Sequence, residues 1–454
     1  MVEGQVGGVN VVRNAVHGVI GFVAPALIVV ASYPVLMRHL GTPAFGVYLL
    51  AGSMGGAMMF LDLGFSAATL RFVAQDLAAG RTQAAADVVA TSLVFYGGMG
   101  TAGAVVIGTL APVWPHLFKI DAALAGDAVV VFRLAGLQFA VYLLAMVFVS
   151  IAKAMGRFDR AAIFVCLLSL ACSGCASIAV LAGAGLVGAM IAVVVANFAV
   201  LLLIAFDGLR LCRGSGIHPG RARPVAFRRM FGFGWVLTVN SIAGFFLYQI
   251  QRFLVGAAMG PAAVSIYQAA AVAPSKLHAA VNAASEVMFP LASASHDKTS
   301  LRRMYLRMLG GSALAALAGF AGLVVLARPL IAWWLGRTVP ASVAPLVPVF
   351  ALGYFFLALS PAPFHLLNGM GRPGLNTLFY AANALLNVAL IGAFALRGLT
   401  LMKFAWAFAA ANIVTSLCYQ VTVETLIWKS EPQRPEATLS GAGSSKAGLS
   451  EAAA

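Results

Sequence analysis

The stretch LVGAMIAVVVANFAVLLLIAF, residues 186–206, contains no charged side chain. It is followed at once by DGLRLCRGSGIHPGRARPVAFRRMFGFG, residues 207–234, which carries Arg210, Arg213, Arg221, Arg223, Arg228 and Arg229. The first segment is long enough to cross a bilayer, which takes about 20 apolar residues in a helix. The second is the kind of basic loop that stays on the cytoplasmic side. Outward from this point the alternation repeats. About twelve apolar segments lie between residues 15 and 427, among them 44–63, 235–257 and 264–290. Of the 29 Lys and Arg residues, twenty fall at the N-terminus, in the even-numbered gaps or in the C-terminal tail. The odd-numbered gaps hold only Arg38, Lys119, Arg328, Arg337, Arg397 and Lys403. Both termini are therefore expected in the cytoplasm.

Composition agrees. The chain has 454 residues, 61% hydrophobic and 9% charged, with mean hydropathy +0.95. A soluble domain carries about 25% charged residues. Backbone in lipid must satisfy its own hydrogen bonds, and the period-two pattern of a membrane barrel is absent, so the spans are predicted to be helices. The net charge of +15 reads as an orientation signal and not as a nucleic-acid surface; it also favours anionic lipid headgroups. Five cysteines are present, and Cys172 and Cys175 form a C-x-x-C inside an apolar segment without His nearby. Small packing residues, not a metal site, are expected there.

The chain looks duplicated. Leu40-Gly41-Thr42-Pro43 leads to Tyr48, and Met259-Gly260-Pro261 leads to Tyr267; in both, Gly precedes Tyr by seven residues. Ala154-Met155-Gly156-Arg157 is echoed by Gly369-Met370-Gly371-Arg372. The offsets, 219 and 215, nearly agree. The expected organisation is an all-α integral membrane protein of about twelve helices in two parallel six-helix lobes around a central cavity. Residues 1–206 form the first lobe, 207–234 a basic cytoplasmic linker, 235–427 the second lobe and 428–454 a disordered tail.

An ionisable residue in a span costs about 2.5–3.5 kcal/mol on insertion scales. Arg133, Arg252 and Lys276 sit inside predicted spans, against few acids. The interior is thus expected to be electropositive. In the eighth span Gln268, Ser275, Asn282, Ser285 and Glu286 fall within about 40° at helical spacing. In the seventh, Ser241, Tyr248 and Arg252 share a stripe with Gln249 beside it. Asp62 is placed to anchor a loop near Arg71 or to gate an opening. The simpler role for these stripes is inter-helix hydrogen bonding.

These residues carry a resemblance. Arg38-His39-Leu40-Gly41 through Tyr48, Leu61-Asp62-Leu63-Gly64-Phe65 with Arg71, and Arg252-Phe253-Leu254-Val255-Gly256 through Tyr267 to Phe289-Pro290-Leu291-Ala292-Ser293 resemble the O-antigen and polysaccharide flippases (Wzx-like) of the multidrug/oligosaccharidyl-lipid/polysaccharide superfamily. The similarity covers roughly residues 8–427. Where that family often has Asp before the basic residue of the seventh span, this chain has Gln251. The resemblance implies a MATE-like fold and a transporter, not an enzyme, in the bacterial inner membrane. It implies a lipid-linked oligosaccharide on undecaprenyl pyrophosphate as substrate, with membrane lipids and other polysaccharide-assembly proteins as partners. On that reading Arg252, Lys276 and Arg133 attract the pyrophosphate, because Arg and Lys make charge-assisted bonds to phosphate. Gln249, Gln268, Ser275 and Asn282 line the sugar path. Glu286 and Asp62 are the candidates for proton or sodium coupling or gating; no cofactor or metal is expected. Two alternatives differ in class. An ion-coupled drug exporter of the same fold would favour buried acids over buried bases. A membrane glycosyltransferase or polymerase needs reactive groups in a large outer loop, and the longest outer gap offers only Asp121 and Asp127.

Overall fold

A computed structural model describes residues 3–57, 62–218, 220–288, 291–292, 297–336 and 340–425; the expected tail, 428–454, lies outside them. The described residues form helices and turns only. In chain order the helices are α1 (Glu3–Ala57), α2 (Phe65–Ala78), α3 (Thr82–Leu110), α4 (Trp114–Leu117), α5 (Ala122–Ala154), α6 (Phe158–Ser169), α7 (Cys175–Leu181), α8 (Gly185–Gly214) and α9 (Pro224–Tyr248). There follow α10 (Ile250–Met259), α11 (Pro261–Ser285), α12 (Lys298–Val325), α13 (Ala327–Trp334), α14 (Leu346–Leu357), α15 (Pro361–Gly369), α16 (Pro373–Ala395) and α17 (Leu401–Val423). Among the described residues nine helical stretches are long and apolar enough to span a membrane. One of them, Val23–Gly55, is two expected spans joined at a kink. The seventh expected span, 235–257, is broken in two at Gln249, and the eighth, α11, carries Pro274 and a polar stripe. A π-turn, Leu170–Gly174, joins α6 to α7 within a single apolar stretch.

The kink in α1 lies at Gly41 (φ 76°, ψ 165°), and the turn before α11 lies at Gly260 (φ 83°, ψ 176°). Only glycine populates this region, because a Cβ would clash with the backbone there. The first sequence echo is thus one backbone conformation used twice. The two turns also touch. Ser265 Oγ donates to the Thr42 carbonyl at 2.6 Å, and a Cβ built on Gly46 would lie 1.8 Å from the Pro261 carbonyl oxygen. Under the 219-residue offset Thr42 maps to Pro261 and Gly46 to Ser265. The contacts are therefore exchanged copies of each other, as at a two-fold interface.

α1, α3, α5, α6 and α8 pack mainly on one another; α12, α14, α16 and α17 form a second group with α11, whose heaviest packing is on α1. The two halves meet along α1 against α11, and again where α2 and α3 meet α9. At this second meeting place Gly64 and Gly234 pack backbone to backbone: a Cβ on Gly64 would sit 2.4 Å from the Gly234 carbonyl oxygen. α8 and α9 both run into the basic stretch 207–234, leaving only 215–223 between them.

Candidate functional site

Charge is sorted by depth. Six ion pairs occur among the described residues: Arg81 and Arg229 with Asp76, Arg157–Asp159, Arg160–Asp207, Arg223–Asp87 and Arg302–Glu424. All lie at the end that carries the Arg-rich gaps. Arg252, just after the break between α9 and α10, and Lys276, inside α11, have no carboxylate partner among the described residues.

Arg252 sits where the chain breaks and restarts. Gln249 ends α9 with φ −116°, accepting from Arg252 N at 3.1 Å through its carbonyl, and α10 begins at Ile250. The break turns Gln249, Gln251 and Arg252 toward α11, an arrangement that membrane transporters use to build binding sites from discontinuous helices. On α11, Tyr267, Gln268, Ala271 and Ser275 fall within an arc of about 100° at helical spacing and line one cavity. With Phe350 and Tyr354 of α14 and Phe408 of α17 they enclose a cavity of about 130 Å³. Tyr267 meets Phe350 edge to face at 4.7 Å between ring centroids, and Tyr354 tilts against Phe408 at 4.8 Å. Four buried polar atoms here have no hydrogen-bond partner among the described residues: Gln249 Oε1, Gln251 Nε2, Arg252 Nε and Tyr267 Oη. Each such atom costs about 1–3 kcal/mol when left unmade. A cavity of this size has room for water or a polar ligand to satisfy them.

Arg252 also lines a second cavity, on the other side, of about 410 Å³. Its walls come from the first half: Tyr48 and Gly52 of α1, Gln138, Phe139 and Tyr142 of α5, Cys172 and Ser173 of the π-turn, and Met190 of α8. Arg252 Nη1 reaches Ser53 Oγ at 3.4 Å between the two chambers. Tyr48 Oη donates to the Cys172 carbonyl at 2.7 Å, while Gln138 Nε2 and Asn197 Nδ2 contact Cys172 Sγ at 3.3 and 3.5 Å. The C-x-x-C is thus a packing feature at Cys175 and a cavity wall at Cys172.

The structure brings together Arg252, Gln249, Gln268 and Ser275; Lys276, next to Ser275 on α11, is half-buried and lines neither cavity. It does not bring the others. Arg133 is exposed on α5, on the face of Val130 and Leu137, which are 40% and 50% exposed. Its charge is placed to snorkel from an apolar surface. Asn282 is half-buried and Glu286 exposed at the end of α11, and neither lines either cavity. Ser285 is buried and spends its hydroxyl on the Val281 carbonyl at 2.9 Å. Asp62 accepts from Ser66 and Tyr96, not from Arg71, whose guanidinium lies 4.5 Å over the Phe233 ring. The side chains of Ser241 and Tyr248 lie outside the described residues.

Sequence reasoning passed over Tyr48, Gln138 and Tyr267. The two tyrosines had served only as repeat markers, yet one lines each chamber. Their recurrence at the 219-residue offset was the available signal. Asn197 and Asn412 repeat at the offset of 215; both are fully buried, and each bonds the carbonyl four residues before it, Val193 and Phe408, at 2.8 Å.

Comparison with known proteins fits this architecture. Residues 35–344 match the family model described as "Polysaccharide biosynthesis protein". A Shigella flexneri protein described as an O-antigen transporter is 25% identical over 384 residues, covering 84% of this chain and 90% of that protein. Two solved structures superpose with a TM-score of 0.73. One is an inward-facing multidrug resistance MATE family transporter of the MOP superfamily, at 15% identity over 91% of this chain and 96% of its own. The other is the lipid II flippase MurJ in an inward closed conformation, at 12% identity over 90% and 87%. At these identities the two structures establish the MATE-like fold alone.

Proposed function

Because the chain belongs to the polysaccharide biosynthesis protein family, we propose that it is a flippase that carries an undecaprenyl-pyrophosphate-linked oligosaccharide across the bacterial inner membrane by alternating access. The observation that carries this reading is the guanidinium of Arg252, which has no carboxylate partner among the described residues, lies beside orphaned donors of the second half, and also faces a cavity of the first. A diphosphate presents only acceptors to it. Arg252 Nε, Gln251 Nε2 and Tyr267 Oη are the donors awaiting one, and Lys276 adds charge without needing a fixed geometry. Holding two like charges near one another in a low-dielectric interior is unfavourable until an anion arrives. Substrate binding therefore relieves a repulsion as well as making bonds.

The two halves touch at both ends of the molecule, through α1–α11 at the Gly41 and Gly260 turns and through α2, α3 and α9 at the Arg-rich end. Alternating access opens one of these contacts while keeping the other, with the Arg-rich end facing the cytoplasm. The polyprenyl tail stays in lipid while the headgroup passes between the halves. A drug exporter of the same fold is the weaker reading: among the described residues no carboxylate lines either cavity to pair with an organic cation, while Arg252 lines both and repels one.

The test is rescue of a flippase-null strain with lipid-linked intermediates measured on both leaflets. Arg252→Gln and Lys276→Gln are each expected to cut flipping at least tenfold at unchanged protein abundance. Wild-type rates in both variants overturn the reading.

A further inference from the structure

The two chambers that share Arg252 differ about threefold in volume, about 130 Å³ against 410 Å³. Sites that enclose a small organic ligand run to about 300–1,000 Å³. The smaller chamber is below that range, and it holds the orphaned donors. The larger is within it, and it is lined by groups that suit a sugar. The rings of Tyr48 and Tyr142 offer flat apolar faces for C–H edges, and the Gln138 amide and Ser173 hydroxyl offer hydrogen bonds. Tyr142 is 40% exposed. The α1 wall includes Gly52 and Gly55, where a Cβ meets nothing within 4 Å. The space in front of them is unfilled by protein. Resting on the flippase reading, we infer that the headgroup is divided at Arg252, with the diphosphate in the chamber of Tyr267, Gln268 and Ser275, and the oligosaccharide in the chamber of Tyr48, Gln138 and Tyr142. This moves the sugar away from Asn282 and the far part of the α11 stripe and into the first half of the chain.

The division makes the two chambers separable by experiment. Gly52→Leu and Gly55→Leu fill the larger chamber with side chains that the fold has room for, and leucine favours a helix over glycine. Tyr142→Leu removes a ring while keeping bulk, and serves should either filled variant fail to accumulate. Purified full-length protein in vesicles is given polyprenyl diphosphate bearing one sugar, and the same lipid bearing a longer oligosaccharide. The expected result is a fall of at least tenfold in the ratio of long-chain to single-sugar flipping in all three variants. Arg252→Gln is expected to lower both substrates alike. Variants that leave the ratio unchanged, whether by losing both substrates equally or by losing neither, overturn the division while the flippase reading stands. Undiminished binding of sugar-free polyprenyl diphosphate by Arg252→Gln overturns the division, and together with wild-type flipping in Lys276→Gln it overturns the flippase reading as well.

Discussion

Arg229 Nη1 donates to Asp76 Oδ2 at 2.7 Å and so ties the start of α9 to the end of α2. The Asp76 side chain has no solvent exposure, and Arg81 holds its other oxygen, also at 2.7 Å. Arg229 lies in turn 4.1 Å over the Phe72 ring. One sequestered carboxylate with two guanidiniums thus fastens the Arg-rich ends of the two halves. Asp87 and Arg223 add a weaker link at 3.3 Å nearby.

Burial alone pushes the Asp76 carboxyl up, but the hydrogen bonds and charges of Arg229 and Arg81 outweigh it and leave it below the usual carboxylate range. For a group depressed in the folded state, the stabilisation is complete above the ordinary pKa of about 3.9 and is lost as the pH falls through the lower folded value. Thermal unfolding of the purified protein should therefore show a loss of stability below about pH 4 that Asp76→Asn does not share. At neutral pH Arg229→Gln should cost about 1–3 kcal/mol, the penalty for a buried acceptor with one partner removed. Parallel pH curves for wild type and Asp76→Asn would show that the carboxylate does not hold this end together.

At the opposite end the prediction is steric. Gly46→Ala places a methyl group 1.8 Å from the Pro261 carbonyl oxygen, a backbone atom that cannot rotate away. Overpacking of this kind costs typically about 1–3 kcal/mol and occasionally more. Gly98→Ala, in α3, where a Cβ meets nothing within 4 Å, is the matched control and should be neutral or stabilising. Equal accumulation and equal melting temperatures for the two would mean that the two turns do not pack as described.

Arg252→Lys separates charge from shape. Lysine keeps the positive charge but lacks the planar fork that grips two oxygens at once. Its flipping rate should fall between wild type and Arg252→Gln, with substrate affinity about tenfold below wild type, equivalent to about 1.4 kcal/mol. Full activity in the lysine variant would show that Arg252 acts as a point charge.

Much of this was legible in the sequence, for a physical reason. Lipid taxes every polar group, so Arg252, Gln249, Gln268 and Ser275 stand out in apolar helices and do converge on one cavity. Gly41 and Gly260 stood out by their repeated setting, and the repeated conformation follows from what only glycine tolerates. The misplacements have one cause. A helical wheel gives direction around an axis but not depth along it. Gln268 and Glu286 share a stripe, yet 18 residues of helix separate them by about 27 Å. A chamber of about 130 Å³ does not reach that far. Arg133 is the converse case: its depth is legible in the sequence, but depth does not say which face of α5 it occupies. The break at Gln249 carries no proline or glycine to announce it, and the contact of Asp62 with Tyr96 joins residues 34 positions apart in the chain.

The exchanged pair of contacts at the Gly41 and Gly260 turns works as a clasp with two pins. Ser265 reaches the Thr42 carbonyl on one side, and Pro261 seats against Gly46 on the other. Contacts related in this way lie side by side on one axis, so separating the halves along it loads both. Parting the halves at this end would therefore forfeit a hydrogen bond and a backbone-to-backbone seat in one step, with no side chain free to hold on alone.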